Sequence, residues 1–157
     1  MKKNRFIPFM MHWLWRMRYR VIYWLGGKVV GARALVLREN EILLVKHTYG
    51  EGWYTIGGEV DKNELPIDAA KREVLEEAGV KVQGNPELLG IYQSNYLNRD
   101  DYVFLYVIKS FTLEKASSPE IEEYRWFPLD ALPQDISAAT QRRINEYLKR
   151  IPVSGVW

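Results

Sequence analysis

The sequence predicts an α+β protein in which helices pack against a β-sheet. Three observations support this class. Apolar residues recur three or four positions apart in the stretch 66–78, which is helical spacing: Ile67, Ala70, Val74 and Ala78. Runs rich in Val, Ile and Leu precede and follow that stretch, as expected for strands. Residues 136–150 again have helical spacing, so a second helix closes a layered fold.

Three strands are predicted before the first helix. The runs 29–37 and 41–48 are rich in β-branched and aliphatic residues, and Asn40 lies between them, so they read as a hairpin. A short strand at 53–56 leads into the pair Gly57-Gly58. Pro66 suits the first helical position and Gly79 suits a left-handed C-terminal cap, so the helix should run from residue 66 to residue 78.

Three further strands are predicted after the helix. The runs 88–96 and 102–111 are joined by the polar residues 98–101, and a third run covers 121–127. Loop residues 117–119 precede this last strand, and the segment 128–133 follows it. The sequence contains no internal repeat, so it predicts one domain.

The first helix carries an unusual cluster of acidic side chains. Glu73, Glu76 and Glu77 fall within an arc of about 100° beside the apolar stripe, because successive residues turn by about 100°. Arg72 and Glu76 are four residues apart and can form an ion pair. The repulsion between the carboxylates can be relieved by solvent, which describes most charge runs, or by a divalent cation such as Mg²⁺.

A longer pattern surrounds these glutamates. The segment fits G-x5-E-x7-R-E-U-x-E-E-x-G-U, where U is a bulky aliphatic residue, and every fixed position is filled: Gly58, Glu64, Arg72, Glu73, Val74, Glu76, Glu77, Gly79 and Val80. This segment resembles the box of the Nudix hydrolases, which cleave nucleoside diphosphates linked to another group. Nine specified positions within 23 residues make a chance match improbable. The likeness covers residues 29–150 and implies a mixed sheet between helices, an α/β/α sandwich.

The resemblance implies a role for each matching residue. Glu73, Glu76 and Glu77 would bind the catalytic metal, with Mg²⁺ as the cofactor and Mn²⁺ as the alternative ion. Arg72 would orient a glutamate of the box through an ion pair, and Glu64 would support the loop and the metal site. Gly58, with Gly57 before it, belongs to the loop that leads into the helix, where the substrate binds.

The loop departs from the family pattern at three positions. Ile56 stands where proline is common, Asn63 where glycine is usual, and Leu65 where a Ser or Thr cap is usual. Asn63 can adopt the left-handed conformation that glycine would take. These departures concern the shape of the loop and leave the glutamates in place.

Aromatic residues near strand ends are candidates for contact with a nucleobase: Tyr49, Trp53, Tyr92 and Tyr96. The alternative is that they belong to the core or its rim. Tyr96 lies 16 residues beyond Val80, which resembles the tyrosine that marks dinucleoside polyphosphate hydrolases in the family. The acidic residues Glu120, Glu122 and Glu123 are either a solvated loop or a source of one further metal ligand or base. His47 is expected to be a partly buried structural residue.

Charge is unevenly distributed along the 157 residues. Residues 1–28 contain seven Lys or Arg side chains, no acidic residue and seven aromatic residues. The remainder has 15 basic and 20 acidic side chains, a net charge of −5. We therefore interpret 1–28 as a basic aromatic extension and 29–157 as the Nudix domain. The extension is expected to pack against its own domain or a homodimer partner; contact with an anionic membrane surface is the alternative.

These features predict a Mg²⁺-dependent hydrolase that cleaves a phosphoanhydride bond in a nucleoside diphosphate derivative or nucleotide. The alternative is a catalytically inactive Nudix-like module that binds or senses a nucleotide. Such a module is expected to lose a metal-binding glutamate, and all three remain. A small-molecule substrate is expected, without nucleic acid as a partner. The absence of cysteine excludes disulfides and thiolate metal sites and fits a cytoplasmic location.

Overall fold

The computed structural model describes residues 28–94, 101–116 and 118–157. Eight strands and two helices lie in this part of the chain, in the order β1 Val30–Arg38, β2 Glu41–His47, β3 Ile56–Glu59, α1 Pro66–Ala78, β4 Val80–Val82, β5 Glu87–Ser94, β6 Asp101–Ile108, β7 Phe111–Leu113, β8 Ile121–Pro128 and α2 Ala138–Tyr147. Most of the extension 1–28, together with Tyr96, lies outside the described residues.

A six-stranded mixed sheet forms the centre of the fold. Its order is β5-β6-β1-β2-β8, and β3 pairs with the part of β1 that β2 leaves uncovered. β1 runs parallel to β6 over seven residue pairs, whereas its pairings with β2 and β3 are antiparallel. β4 and β7 form a separate two-stranded sheet. The predicted mixed sheet is confirmed.

The two faces of the sheet are covered by different helices. β1 alternates, so that Leu35 and Leu37 belong to a buried cluster with Ile144 of α2. Ala34 and Val36 face the opposite way and pack in a cluster with Val74 of α1. The sheet therefore lies between the helices, which is the predicted α/β/α sandwich.

Helix α1 has the bounds that its sequence predicts. Pro66 occupies the first turn, and Gly79 ends the helix in a left-handed conformation with φ of 66°. Its N–H bonds back to the carbonyls of Leu75 and Val74. Leu65 provides no side-chain cap, and Asn63 adopts the left-handed conformation with φ of 66°, as its side chain allows. Short-range signals therefore determine both ends.

Several strand predictions are wrong in detail. Trp53 and Tyr54 make only isolated bridges, to Ile136 and Val45, and regular pairing starts at Ile56. The Gly57-Gly58 pair is itself part of this strand against β1. The predicted strand 102–111 divides: β6 ends at Ile108, and Phe111 begins β7, which pairs with the unpredicted strand β4.

The second helix is shorter than the predicted 136–150. It begins at Ala138 because the Ser137 side chain caps it by accepting a hydrogen bond from the Thr140 N–H at 3.1 Å. It ends at Tyr147, and Lys149 then takes a positive φ of 55°. Within the described part of the chain, no helix combines the length and apolar character that crossing a bilayer requires.

Candidate active site

The glycine pair of β3 lets this strand approach both β1 and α1 closely. Gly57 has φ of 139°, and a Cβ there would lie 2.1 Å from the Ala32 carbonyl oxygen. A Cβ on Gly58 would lie 2.4 Å from Oε1 of Glu73. At Gly57 the clash is with backbone and the φ is positive, so this position requires glycine; at Gly58 an added Cβ would displace the Glu73 carboxylate. As a result, the carboxylate of Glu73 lies directly against the backbone of β3.

Arg72 links the loop to the helix. Its guanidinium donates two hydrogen bonds to the Glu64 carboxylate, from Nε at 2.8 Å and from Nη2 at 2.9 Å. It also donates to Oε1 of Glu73 at 2.6 Å and to the Glu59 carbonyl at 3.1 Å. The bond from Arg72 lowers the pKa of Glu64 to about 2. This bidentate, charge-assisted arrangement holds the 59–64 loop and Glu73 in one geometry.

The predicted pair between Arg72 and Glu76 is present but is the longer one. Nη1 of Arg72 lies 3.7 Å from Oε2 of Glu76, and the Glu76 side chain is 57% exposed. Glu76 is not among the residues that line the cavity beside the helix. Arg72 therefore orients Glu64 and Glu73 more tightly than it orients Glu76.

Of the three glutamates predicted to bind metal, Glu73 and Glu77 line the cavity. Glu77 is buried, and its Oε2 accepts a hydrogen bond from the Gly57 N–H at 3.2 Å. Burial raises the pKa of Glu77 to about 7; Arg33 and the Gly57 N–H oppose the rise, and Glu73 and Glu120 add to it. Burial also raises the pKa of Glu73, against the effect of Arg72. Two glutamates thus lie where an uncompensated negative charge is unfavourable.

The cavity has a volume of about 480 Å³ and is bounded by several elements. Glu73 and Glu77 of α1 line it together with the Gly57-Gly58 pair and Glu120, which precedes β8. Its remaining wall includes the start of β6 and Trp157. A space of this size is typical of a small-molecule site.

Arg33 and His47 line the same cavity, and sequence reasoning missed the first of them. Nη1 of Arg33 donates to the Thr55 carbonyl at 3.4 Å, and its charge lowers the pKa values of Glu77 and His47. Burial is the larger cause at His47 and, with Arg33, takes its pKa to about 4, so the imidazole is neutral. A single arginine inside the apolar run of β1 was the available signal.

The predicted aromatic contacts separate into two groups. Tyr49 lines the cavity, is 48% exposed and stacks on His47 with ring centroids 5.0 Å apart. The prediction that Trp53 contacts the substrate is corrected, because Trp53 is buried, packs edge-on against Phe127 and does not line the cavity. Tyr92 is fully buried and bonds to Glu146, so it too belongs to the core. Tyr96 lies outside the described residues.

The donor set fits a hard divalent cation. Carboxylates of Glu73, Glu77 and Glu120 line one cavity, and carboxylate oxygens with water are what Mg²⁺ prefers. The raised pKa of buried Glu77 means that its charged form is unfavourable without compensation, and a bound cation would supply that compensation. In 28–94, 101–116 and 118–157, however, no three acidic or imidazole groups are close enough to form an assembled metal site. The set of Glu73, Glu76 and Glu77 as metal ligands stays a prediction.

Comparison with known proteins agrees with the motif and the fold. The family model of the NUDIX domain matches residues 27–148. A diphosphoinositol polyphosphate phosphohydrolase, 3-alpha, of Mus musculus is 32% identical over 121 residues, which cover 75% of this chain and 73% of the relative.

Solved structures give the same result. A MutT NUDIX hydrolase from Burkholderia pseudomallei is 28% identical with a TM-score of 0.67, covering 76% of this chain and 97% of that one. A NUDIX hydrolase from Nitrosomonas europaea is 25% identical with a TM-score of 0.68, covering 78% and 71%. The complete glutamate motif, the α/β/α sandwich and these similarities together show that the chain belongs to the Nudix hydrolases, a family of enzymes that hydrolyse phosphoanhydride bonds.

Proposed function

We propose that this hydrolase depends on Mg²⁺ and cleaves the diphosphate of a nucleoside diphosphate derivative. The main support is that Glu73 and Glu77 line one cavity, each with a pKa raised by burial. A bound cation would stabilise both carboxylates in their charged form. The same charge compensation is what a diphosphate needs before water can attack it.

Glu73 and Glu77 would hold the ion, with Glu120 as a further carboxylate in the lining of the same cavity. Glu76, which is exposed, would have the smaller part in binding. When bound, Mg²⁺ would neutralise phosphate charge and lower the pKa of a coordinated water. If the roles are divided in this way, Glu77→Gln should lose more activity than Glu76→Gln.

The protein's own side chains position the site. Arg72 joins Glu64 of the loop to Glu73 of the helix, so we infer that its role is to hold Glu73 rather than to contact the substrate. The Gly57 N–H holds the orientation of Glu77. Arg33, which lines the cavity, would attract a phosphate oxygen. Neutral His47 carries no charge there that would oppose binding of the metal.

A heavily phosphorylated inositol is the second candidate substrate, because the mouse relative is named for one. The described wall of the cavity favours the first candidate. Its basic side chains are Arg33 and Arg72, and Arg72 is already bonded to two carboxylates. Six acidic residues line the same wall: Glu59, Asp61, Glu73, Glu77, Asp101 and Glu120. Such a surface suits one diphosphate better than many phosphates.

A catalytically inactive nucleotide sensor remains the alternative. Binding alone needs no activated water, so the motif of such a module would be free to lose Glu73, Glu76 or Glu77. This chain keeps all three. The complete motif therefore favours an enzyme.

Turnover of a panel of phosphoanhydrides tests the proposal. Nucleotide sugars, ADP-ribose, dinucleoside polyphosphates, nucleoside triphosphates and a diphosphoinositol polyphosphate are each incubated with Mg²⁺, Mn²⁺ or EDTA, and released phosphate is measured. We expect nucleoside diphosphate derivatives to be cleaved fastest and EDTA to abolish turnover. Preferential cleavage of the inositol compound would refute the substrate class, and full activity in EDTA would refute the metal.

Three variants make the metal assignment specific. Glu77→Gln should lower kcat at least about a hundredfold, the order seen when one charge-stabilising group is removed from an active site. Glu76→Gln should lose less than Glu77→Gln. The matched control is Glu87→Gln, at an exposed position at the start of β5, and it should keep wild-type activity.

A further inference from the structure

A buried ion pair in α2 holds the end of the described chain. Arg143 and Glu146 are 0% and 3% exposed, and Nη2 of Arg143 donates to Oε1 of Glu146 at 3.0 Å. Nη1 of Arg143 donates to the Val156 carbonyl at 2.6 Å, and the Ser154 N–H donates to Oε1 of Glu146 at 3.1 Å. Burying both charges is unfavourable without such partners. The pair is thus satisfied largely by residues 154–157, which we call the C-terminal tail.

The C-terminal tail also extends the sheet. Beside β5, the Gln93 N–H donates to the Gly155 carbonyl, and the Trp157 N–H donates to the Gln93 carbonyl, both at 2.8 Å. Val156 is bridged to Gln93 in parallel orientation. β5 is otherwise an edge strand, and the tail covers that edge. The tail is therefore fixed by backbone bonds on one side and by the buried ion pair on the other.

This docking places Trp157 in the cavity wall. Its ring packs edge-on against Tyr92, with centroids 5.7 Å apart, and it lines the cavity together with Ser94 and Tyr102. The tail, β5, β6, β1 and β3 are successive neighbours, and strands are spaced by about 4.8 Å. The backbone of Trp157 is thus several strand spacings from the Gly57-Gly58 pair. That span is longer than a diphosphate group.

The chemistry of this distant wall differs from that of the glutamate side. Trp157 and Tyr102 supply aromatic surface, and the Lys28 ammonium lies 5.5 Å from the Tyr102 ring. The Asp101 carboxylate is buried beside them and accepts a hydrogen bond from the Val29 N–H at 2.8 Å. A planar group that stacks suits such a wall, because aromatic faces bind nucleobases with little dependence on sequence.

We propose that the C-terminal tail forms the subsite for the nucleoside part of the substrate and that Trp157 is a residue that determines specificity there. This proposal rests on the proposed cleavage of a nucleoside diphosphate derivative. Arg143 and Glu146 are positioning residues, since they act on the substrate only through the tail. The glutamates of α1 would hold the diphosphate end through a bound cation, and the tail would hold the other end.

Binding of two ligands that resist hydrolysis tests the subsite. α,β-Methylene-ADP carries a nucleoside, and methylenediphosphonate lacks one; each is titrated into the Mg²⁺-loaded protein by calorimetry. Trp157→Ala should weaken the nucleotide about tenfold, the order expected from loss of one stacking contact, and leave methylenediphosphonate unchanged. Trp157→Phe should keep most of the nucleotide affinity. Val153→Ala, at an exposed position just before the tail, is the matched control.

Three results would overturn the subsite. They are equal weakening of both ligands by Trp157→Ala, unchanged nucleotide binding in that variant, and wild-type protein that binds the nucleotide no more tightly than methylenediphosphonate. If Trp157→Ala is unfolded by circular dichroism, Trp157→Leu takes its place, because leucine keeps apolar bulk against Tyr92 without an aromatic face. The same expectations then apply.

Turnover separates this proposal from the function on which it rests. Trp157-dependent nucleotide binding without hydrolysis of any phosphoanhydride would refute the activity and leave the subsite standing. If the wild type hydrolyses a nucleoside diphosphate sugar and Trp157→Ala does so with the same kcat/KM, the subsite alone is refuted. With both proposals correct, that variant shows a raised KM and a nearly unchanged kcat.

Discussion

Glu77 should make the metal-free protein less stable as pH rises. Its pKa is raised from 4.5 to about 7, chiefly by burial. Between these values the folded protein keeps a proton that the unfolded chain has lost, so the free energy of unfolding falls as pH increases through this window. Each pKa unit corresponds to about 1.4 kcal/mol, so the full loss above pH 7 is about 3 kcal/mol.

The Glu77→Gln variant removes this pH dependence of stability and keeps the hydrogen bond. Glutamine is neutral at all pH values, and its side-chain carbonyl can still accept from the Gly57 N–H. In EDTA, we expect the variant and the wild type to be similarly stable near pH 4.5. At pH 8 the variant should be more stable by up to about 3 kcal/mol.

Urea unfolding followed by circular dichroism, at intervals from pH 4.5 to pH 8, measures the difference. The charged groups that face Glu77 set the size of its pKa shift: Glu73 on the same helix and Glu120 before β8 raise the pKa of Glu77, and Arg33 on β1 lowers it. Because the variant and the wild type share every other side chain, comparing their stabilities cancels most of the pH dependence that does not come from Glu77. Parallel curves, or a variant less stable than wild type at pH 8, would refute the reasoning. Glu87→Gln should follow the wild-type curve.

Three further variants test the geometry around the loop. Arg72→Ala should lower kcat ten- to a hundredfold and change KM less, because Arg72 supports Glu73 and Glu64; steady-state kinetics that show only a higher KM would contradict this role. Gly58→Ala should also lower kcat with little change in melting temperature, because the added Cβ meets only the mobile end of Glu73. Gly57→Ala should instead destabilise the fold by at least about 2 kcal/mol in urea unfolding, since its φ is positive and the added Cβ meets the Ala32 backbone; equal stability of the two alanine variants would argue against this distinction.

The features that the sequence predicted correctly depend on neighbouring residues. Helix α1 has its predicted bounds because Pro66, the apolar stripe and Gly79 each act within a few positions. The Nudix box occupies 23 consecutive residues, so its pattern is visible without knowledge of the fold. The mixed sheet is different, because it was predicted only through the family resemblance and not from neighbouring residues.

The parts that were not predicted depend on contacts between distant segments. Arg33 reaches the cavity because β3 pairs with β1. For Glu120 the sequence left open a solvated loop or a further ligand, and it lines the cavity because the chain returns beside β2 in β8. Trp53 was a candidate because it is an aromatic residue near a strand end, but it is buried and bridged to Ile136, so it belongs to the core. Trp157 gave no sequence signal, because its position depends on Arg143 and Glu146. Periodicity does not encode such pairings.

The parallel pairing of β1 and β6 has a consequence for how the chain folds. On one edge β1 pairs with β2 and β3, which lie in the same segment 30–59. On its other edge it pairs with residues 101–108, about 70 positions later. Contacts of such long separation form slowly, and a chain emerging from the ribosome completes its N-terminal contacts first. The helix of glutamates can therefore meet β1 and β3 early in synthesis. The cavity is enclosed only after translation has reached β6 and, finally, Trp157.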